Sequence, residues 1–188
     1  MDTESWDVVV VGSGAGGLTT AACLGATGRR VLVLEQHDVA GGNTQVFRRH
    51  HGDDWYEFDV GLHYVGELGP GQLLHNVFAA LGVADRMRFN ELDPDGFDTL
   101  RFPDFEFRVP ASWEKYQERL IEQFPNDRAG IERTLRVLRD VATESRMIFG
   151  GDRPTFDEWA FRPLSELFDE AELSQPCQAV IDHWSMLY

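Results

Sequence analysis

The hydrophobic pattern opens with an unbroken apolar run, Val8-Val9-Val10-Val11, closed by Gly12. A short apolar run without polar alternation, ended by a glycine-rich turn, predicts a strand over 6–11 buried on both faces. Residues 15–27 are rich in Ala, Leu and Gly and stop at Gly28, which predicts a helix ended by glycine. Val31-Leu32-Val33-Leu34 supplies a second buried strand over 30–34. Strand, helix and strand at this spacing make a βαβ unit, with parallel strands and a right-handed crossover.

The pattern then changes character. Residues 43–56 are polar and charged, the signature of a surface loop or hairpin. Leu74, Val77, Phe78 and Leu81 share one face of a helix over 71–81, stopped by Gly82. Leu100-Arg101-Phe102 and Phe105–Val109 flank Pro103-Asp104 and read as a hairpin. Beyond it the chain turns helical. Ser112 caps a helix over 113–124 that Pro125 ends. Ile131, Leu135, Leu138 and Val141 mark a second amphipathic helix over 127–149, broken by Gly150-Gly151-Asp152-Arg153-Pro154. Further helices are expected over 164–168 and 174–187.

No βα pattern recurs after Glu35. Two parallel strands do not make a stable doubly wound sheet. The expectation is an N-terminal piece of a longer protein whose remainder returns strands to the sheet; a self-contained small domain is the competing reading. Composition narrows the partners. With 188 residues and 43% hydrophobic content the chain builds a real core. A net charge of −15 argues against nucleic acid, which requires a basic surface, and against simple electrostatic attachment to anionic lipid. Cys23 and Cys177 lie far apart in sequence and form no metal-like spacing, so a reducing, cytoplasmic compartment fits. Cys23 is expected as a small buried residue of the first helix. No secretory signal is evident, and no apolar run reaches the ~18 residues that span a bilayer.

The chemistry lies in the glycines. Gly12 permits the tight turn out of the first strand, Gly14 lets a pyrophosphate approach the backbone, and Gly17 lets the helix pack closely on the strand. The helix N-terminus offers N–H groups and a partial positive charge to phosphates. Glu35, at the end of the second strand, can accept hydrogen bonds from ribose hydroxyls and would repel a 2′-phosphate. A strand before the turn, a helix after it and an acid at the expected offset together point to a dinucleotide, with NAD and FAD both open.

The stretch Glu35-Gln36-His37-Asp38-Val39-Ala40-Gly41-Gly42 resembles the extended fingerprint of FAD-dependent amine oxidases and phytoene desaturases, and Asp59-Val60-Gly61 matches a later element of that pattern. The spacing between Gly42 and Asp59 is longer than the common form. Many relatives carry Arg after the glycine pair, where this chain has Asn43. Phe58-Asp59-Val60-Gly61-Leu62-His63-Tyr64-Val65-Gly66 narrows the resemblance to the retinol saturase and carotenoid isomerase branch. The resemblance implies FAD as cofactor, held by Gly12, Ser13, Gly14, Ala15, Gly16, Gly17, Glu35, Gln36, Gly41, Gly42, Asn43 and His63. It implies a hydrophobic conjugated polyene as substrate, with peripheral membrane contact as its route of access. It implies saturation, desaturation or isomerisation of double bonds, with the catalytic residues beyond Tyr188.

The fold class expected is therefore α/β: a Rossmann-like FAD-binding βαβ unit with an incomplete parallel sheet over 1–66, then the start of a mostly helical α+β substrate domain over 67–188. Some roles stay open. His63 and Tyr64 either line the flavin or substrate tunnel or pack at a strand end. Arg48 and Arg49 reach phosphate or face solvent, and the aromatic-rich helices from 113 line an apolar site, fill a core or meet a partner. His50 and His51 lack a third ligand, so no metal is expected. Two rival functions remain: a flavin amine oxidase, and a non-enzymatic prenyl-binding protein of the Rab GDP dissociation inhibitor type.

Overall fold

The computed structural model describes residues 5–62, 64–147 and 150–183. The chain packs as two compact units, Met1–Phe89 and Asn90–Tyr188.

The first unit begins with the βαβ element. Strand β1 (Val8–Val11) runs parallel to β2 (Val31–Leu34), in register from Val8 opposite Val31 to Val11 opposite Leu34. Helix α1 (Ala15–Ala26) makes the crossover and is followed by Gly28 at φ 85°. Among the described residues these two strands are the whole of their sheet. The valines expected to be buried on both faces are not: Val9 is 51% exposed and Val11 84%. A parallel strand acquires two-faced burial from strands and helices on either side, and among the described residues β1 pairs with one strand, β2, and packs chiefly against one helix, α1. Cys23 is exposed for the same reason, not buried as its helical position suggested.

The polar stretch after β2 resolves as a hairpin. Strands β3 (Val46–His51) and β4 (Asp54–Asp59) pair antiparallel, and Gly52 turns between them at φ 61°. Phe47 and Phe58 face each other across it, rings stacked with centroids 5.4 Å apart. Helix α2 (Leu73–Ala80) sits inside the span its apolar stripe predicted and ends before Gly82 at φ 68°. It belongs to the first compact unit, which runs to Phe89.

The second unit holds the buried core. Strands β5 (Asp98–Arg101) and β6 (Glu106–Val109) form an antiparallel hairpin. The β6 side chains alternate strictly, with Glu106 and Arg108 exposed and Phe107 and Val109 buried. Behind the hairpin pack α3 (Trp113–Gln123) and α4 (Arg128–Glu144), which bury Leu120, Ile121, Ile131 and Leu135 at helical spacing. The Ser112 hydroxyl caps α3 by accepting from the Lys115 N–H at 3.3 Å. Helices α6 (Leu164–Glu170) and α7 (Gln175–Ile181) add Phe168, Cys177 and Val180 to the same core. Burial pushes the Cys177 thiol up to about 12.

The helices depart from the sequence reading at several points, α6 among them, which runs to Glu170 rather than 168. Helix α4 ends at Glu144, short of the expected 149, and Ile148 and Phe149 lie outside the described residues. Helix α7 ends at Ile181, and the expected extension over 184–187 also lies outside them. Helix α5 (Pro154–Trp159) was not foreseen. Pro154 occupies its first turn, where a missing N–H costs nothing and a fixed φ favours the helix, so the proline that breaks one pattern begins another.

Candidate functional site

The glycine-rich turn connects the end of β1 to the start of α1, and each glycine in it meets a different steric demand. Gly12 sits at φ 95°, a left-handed conformation that a side chain would disfavour. A Cβ on Gly17 would lie 2.2 Å from the Gly12 carbonyl oxygen and 3.6 Å from a Val10 methyl, so α1 approaches β1 only because that atom is missing. A Cβ on Gly14 would meet nothing within 4 Å, so the space on that side of its Cα is open. Helix α1 has no side-chain cap and no acidic residue in its first turn. Its first N–H groups lack i−4 carbonyl partners and carry the positive end of the helix dipole.

The glycine pair closes on this turn from the other side. Gly41 and Gly42 adopt φ 125° and 56°. The Gly41 N–H donates to the Ser13 carbonyl at 2.9 Å, and Gly14 and Gly41 form an isolated parallel bridge. A Cβ on Gly42 would lie 3.0 Å from Gly14 Cα. The pair is thus required twice, by its backbone angles and by the approach of one backbone to another. The Asp59–Gly61 element returns to the same place: the Val60 N–H donates to the Gln45 carbonyl at 3.1 Å, and a Cβ on Gly61 would lie 3.2 Å from Asn43 Cβ.

Glu35 ties the turn to β2. Its Oε2 accepts from Ser13 N at 2.7 Å and from Ser13 Oγ at 2.5 Å. Its Oε1 accepts from the N–H groups of Gln36 at 2.8 Å and His37 at 2.9 Å. Ser13 is 2% exposed, one of two buried polar residues among those described. Hydrogen bonds to the ionised form, that of the Ser13 hydroxyl first, lower the Glu35 carboxyl to about 2.

The structure thus brings together Gly12, Ser13, Gly14, Ala15, Gly16, Gly17, Glu35, Gln36, Gly41, Gly42 and Asn43 around one turn. His63 lies outside the described residues. Two features were not legible in the motif: the Ser13 side chain as a ligand of Glu35, and the seating of Gly61 on Asn43. Arg48 is engaged within its hairpin, pairing with Glu57 at 2.8 Å, and Arg49 lies over the Phe47 ring at 4.6 Å. Among the described residues no three His, Cys, Asp or Glu side chains are grouped to hold a metal ion. None of the described helices is long and apolar enough to cross a membrane.

The second unit contains an apolar cavity of about 320 Å³, lined among others by Phe97, Pro110, Trp113, Tyr116, Leu138 and Ile181. The aromatic-rich helices therefore do two things: Leu120 and Ile131 fill the core, while Trp113, Tyr116, Leu135 and Leu138 line the cavity.

Residues 10–81 match the NAD(P)-binding Rossmann-like domain. The chain is 36% identical over 146 residues to the all-trans-retinol 13,14-reductase of Danio rerio, covering 73% of this chain and 22% of that protein. It is 33% identical over 135 residues to prolycopene isomerase 1, chloroplastic, of an Oncidium hybrid cultivar, covering 70% and 22%. It is 37% identical over 89 residues to the 15-cis-phytoene desaturase, chloroplastic/chromoplastic, of Capsicum annuum, covering 47% and 14%. The chain spans about a fifth of the length of the first of these relatives.

Proposed function

We propose, from the premise that this chain belongs to the family of retinol saturase-, carotenoid isomerase- and phytoene desaturase-like oxidoreductases, that it holds the ADP half of FAD in an enzyme acting on a hydrophobic conjugated polyene. The observation that carries the cofactor reading is the convergence of the Gly12–Gly17 turn, Glu35 and the Gly41-Gly42 pair on the N-terminus of α1. The residues fit the group. Gly14 leaves open space on one side of its Cα, the uncapped helix presents N–H groups, and Glu35 presents an ionised acceptor at the end of β2.

In this reading Gly14 and the first turn of α1 would hold the pyrophosphate, whose charge the positive end of the helix dipole would favour. Glu35 accepts from the adenosine ribose and disfavours a 2′-phosphate by repulsion. Gly41-Gly42 walls the same turn, and Asn43 follows it. When bound, the flavin supplies the redox step; the protein contributes binding, orientation and exclusion of water. Residues 1–66 serve the cofactor, and 67–188 begin the part that receives the substrate.

The test is titration of the purified chain with FAD and with NAD, followed by calorimetry and flavin fluorescence. FAD is expected to bind, and Glu35→Ala to weaken it while the far-ultraviolet circular dichroism is unchanged. Binding of NAD in preference to FAD would replace the flavin reading with a nicotinamide one. Failure of both dinucleotides would overturn the cofactor assignment. Retinol, followed by its own fluorescence, probes the polyene reading, and no uptake by the FAD-loaded protein would count against it.

A further inference from the structure

A carboxylate offers about four lone-pair sites, and Glu35 has four donors. Oε1 takes the N–H groups of Gln36 and His37; Oε2 takes Ser13 N and Ser13 Oγ. Three of these are backbone groups, held by the turn and by the end of β2. The fourth is a hydroxyl on a single rotatable bond, in a residue that is 2% exposed. A ribose hydroxyl that reaches Glu35 must therefore donate to an acceptor already engaged. The backbone donors cannot withdraw without undoing the turn, whereas the hydroxyl withdraws by rotation about χ1.

We propose that Ser13 is a positioning residue whose hydroxyl occupies the ribose place on Glu35 Oε2 and yields it when an adenosine diphosphate group binds. The inference rests on the dinucleotide reading above. One O–H donor to an ionised oxygen is exchanged for another, so the carboxylate stays fully ligated with or without ligand. Replacing Ser13 by Ala orphans nothing. Glu35 keeps its three backbone donors at 2.7, 2.8 and 2.9 Å. The Gly41 N–H, 3.4 Å from Ser13 Oγ, keeps the Ser13 carbonyl at 2.9 Å. The variant leaves Glu35 aimed as before, with one acceptor site vacant.

The test titrates ADP and 2′,3′-dideoxy-ADP into the wild-type chain and Ser13→Ala by calorimetry. Neither ligand carries a flavin, so the readout is independent of redox activity. Ser13→Ala is expected to bind ADP about fivefold tighter, the worth of one hydrogen bond no longer displaced. Its affinity for the dideoxy analogue is expected to match the wild type. Equal or weaker ADP binding by Ser13→Ala overturns the inference. So does an equal gain on both ligands, because the hydroxyl would then be acting on phosphate or on the fold. Ser13→Gly, which also lacks the hydroxyl, is the second variant should Ser13→Ala fail to fold, and the same gain is required of it. If the folded wild type and variants bind no ADP, the dinucleotide reading falls and this inference with it; ADP binding without the gain removes only the role of Ser13.

Discussion

A Cβ placed on Gly17 would sit 2.2 Å from the carbonyl oxygen of Gly12. That oxygen belongs to backbone at the mouth of the turn, so it cannot swing aside as a flexible side chain would. Gly17→Ala is expected to force α1 away from β1 and to destabilise the first unit by about 1–3 kcal/mol, the usual cost of overpacking. Gly16→Ala is the control. Its added Cβ meets nothing within 4 Å, and Ala favours the helix by up to about 1 kcal/mol over Gly. Urea unfolding followed by circular dichroism compares the two, and equal midpoints would show that the close approach has no energetic consequence.

Glu35 sets an acid dependence. Its carboxyl is lowered from 4.5 to about 2, chiefly by the Ser13 hydroxyl. A carboxyl depressed in the folded state contributes stability that is fully present above its unfolded value and is lost as pH falls through the folded one. Stability is therefore expected to decline between pH 4.5 and about 2 in the wild type. In Glu35→Gln that part of the decline should vanish. Thermal melts across this window provide the check, and parallel curves for the two proteins would remove Glu35 as the titrating group.

Arg119 fastens the loop before β5 to α3. One guanidinium nitrogen donates to the carbonyls of Asp95 at 2.6 Å and Arg108 at 3.0 Å, and another meets Asp95 Oδ1 at 2.6 Å. Its side chain is 27% exposed and that of Asp95 48%, so solvent screens the charge and the carbonyl bonds matter more. Arg119→Ala is expected to cost about 1–2 kcal/mol of stability. Arg119→Lys keeps the charge but lacks the planar fork, and should recover only part of the loss. Full recovery by Lys in a denaturant titration would mean that charge alone secures the loop.

Thr134 lies fully buried in α4, and its Oγ1 has no hydrogen-bond partner among the described residues. An unsatisfied buried hydroxyl costs free energy that an apolar group of the same shape does not. Thr134→Val is expected to raise stability by about 1 kcal/mol, seen as a higher denaturation midpoint with unchanged slope. A lowered midpoint would mean that the hydroxyl has a partner in solution.

The sequence by itself determined the parts governed by local period and local sterics. The valine run, the glycine turn and the second apolar run specified β1, α1 and β2, because strand, turn and helix preferences act between near neighbours. The same holds for Ser112 at the start of α3, and for the stripe of Ile131 and Leu135 that faces the core from α4. The motif also picked out the residues that gather around the turn, since positive φ and missing Cβ atoms leave a mark in residue type. What only the tertiary structure decided depends on groups far apart in the chain. Ser13 reaches Glu35 across 22 positions, Gly42 abuts Gly14, and Gly61 seats on Asn43. A serine that ligates a carboxylate has no spacing rule to betray it. Burial was likewise a tertiary matter: the composition of β1 and α1 asks for cover on every side, yet Val11 and Cys23 stand exposed. An apolar residue type records a preference for burial, and only a neighbouring element can satisfy it.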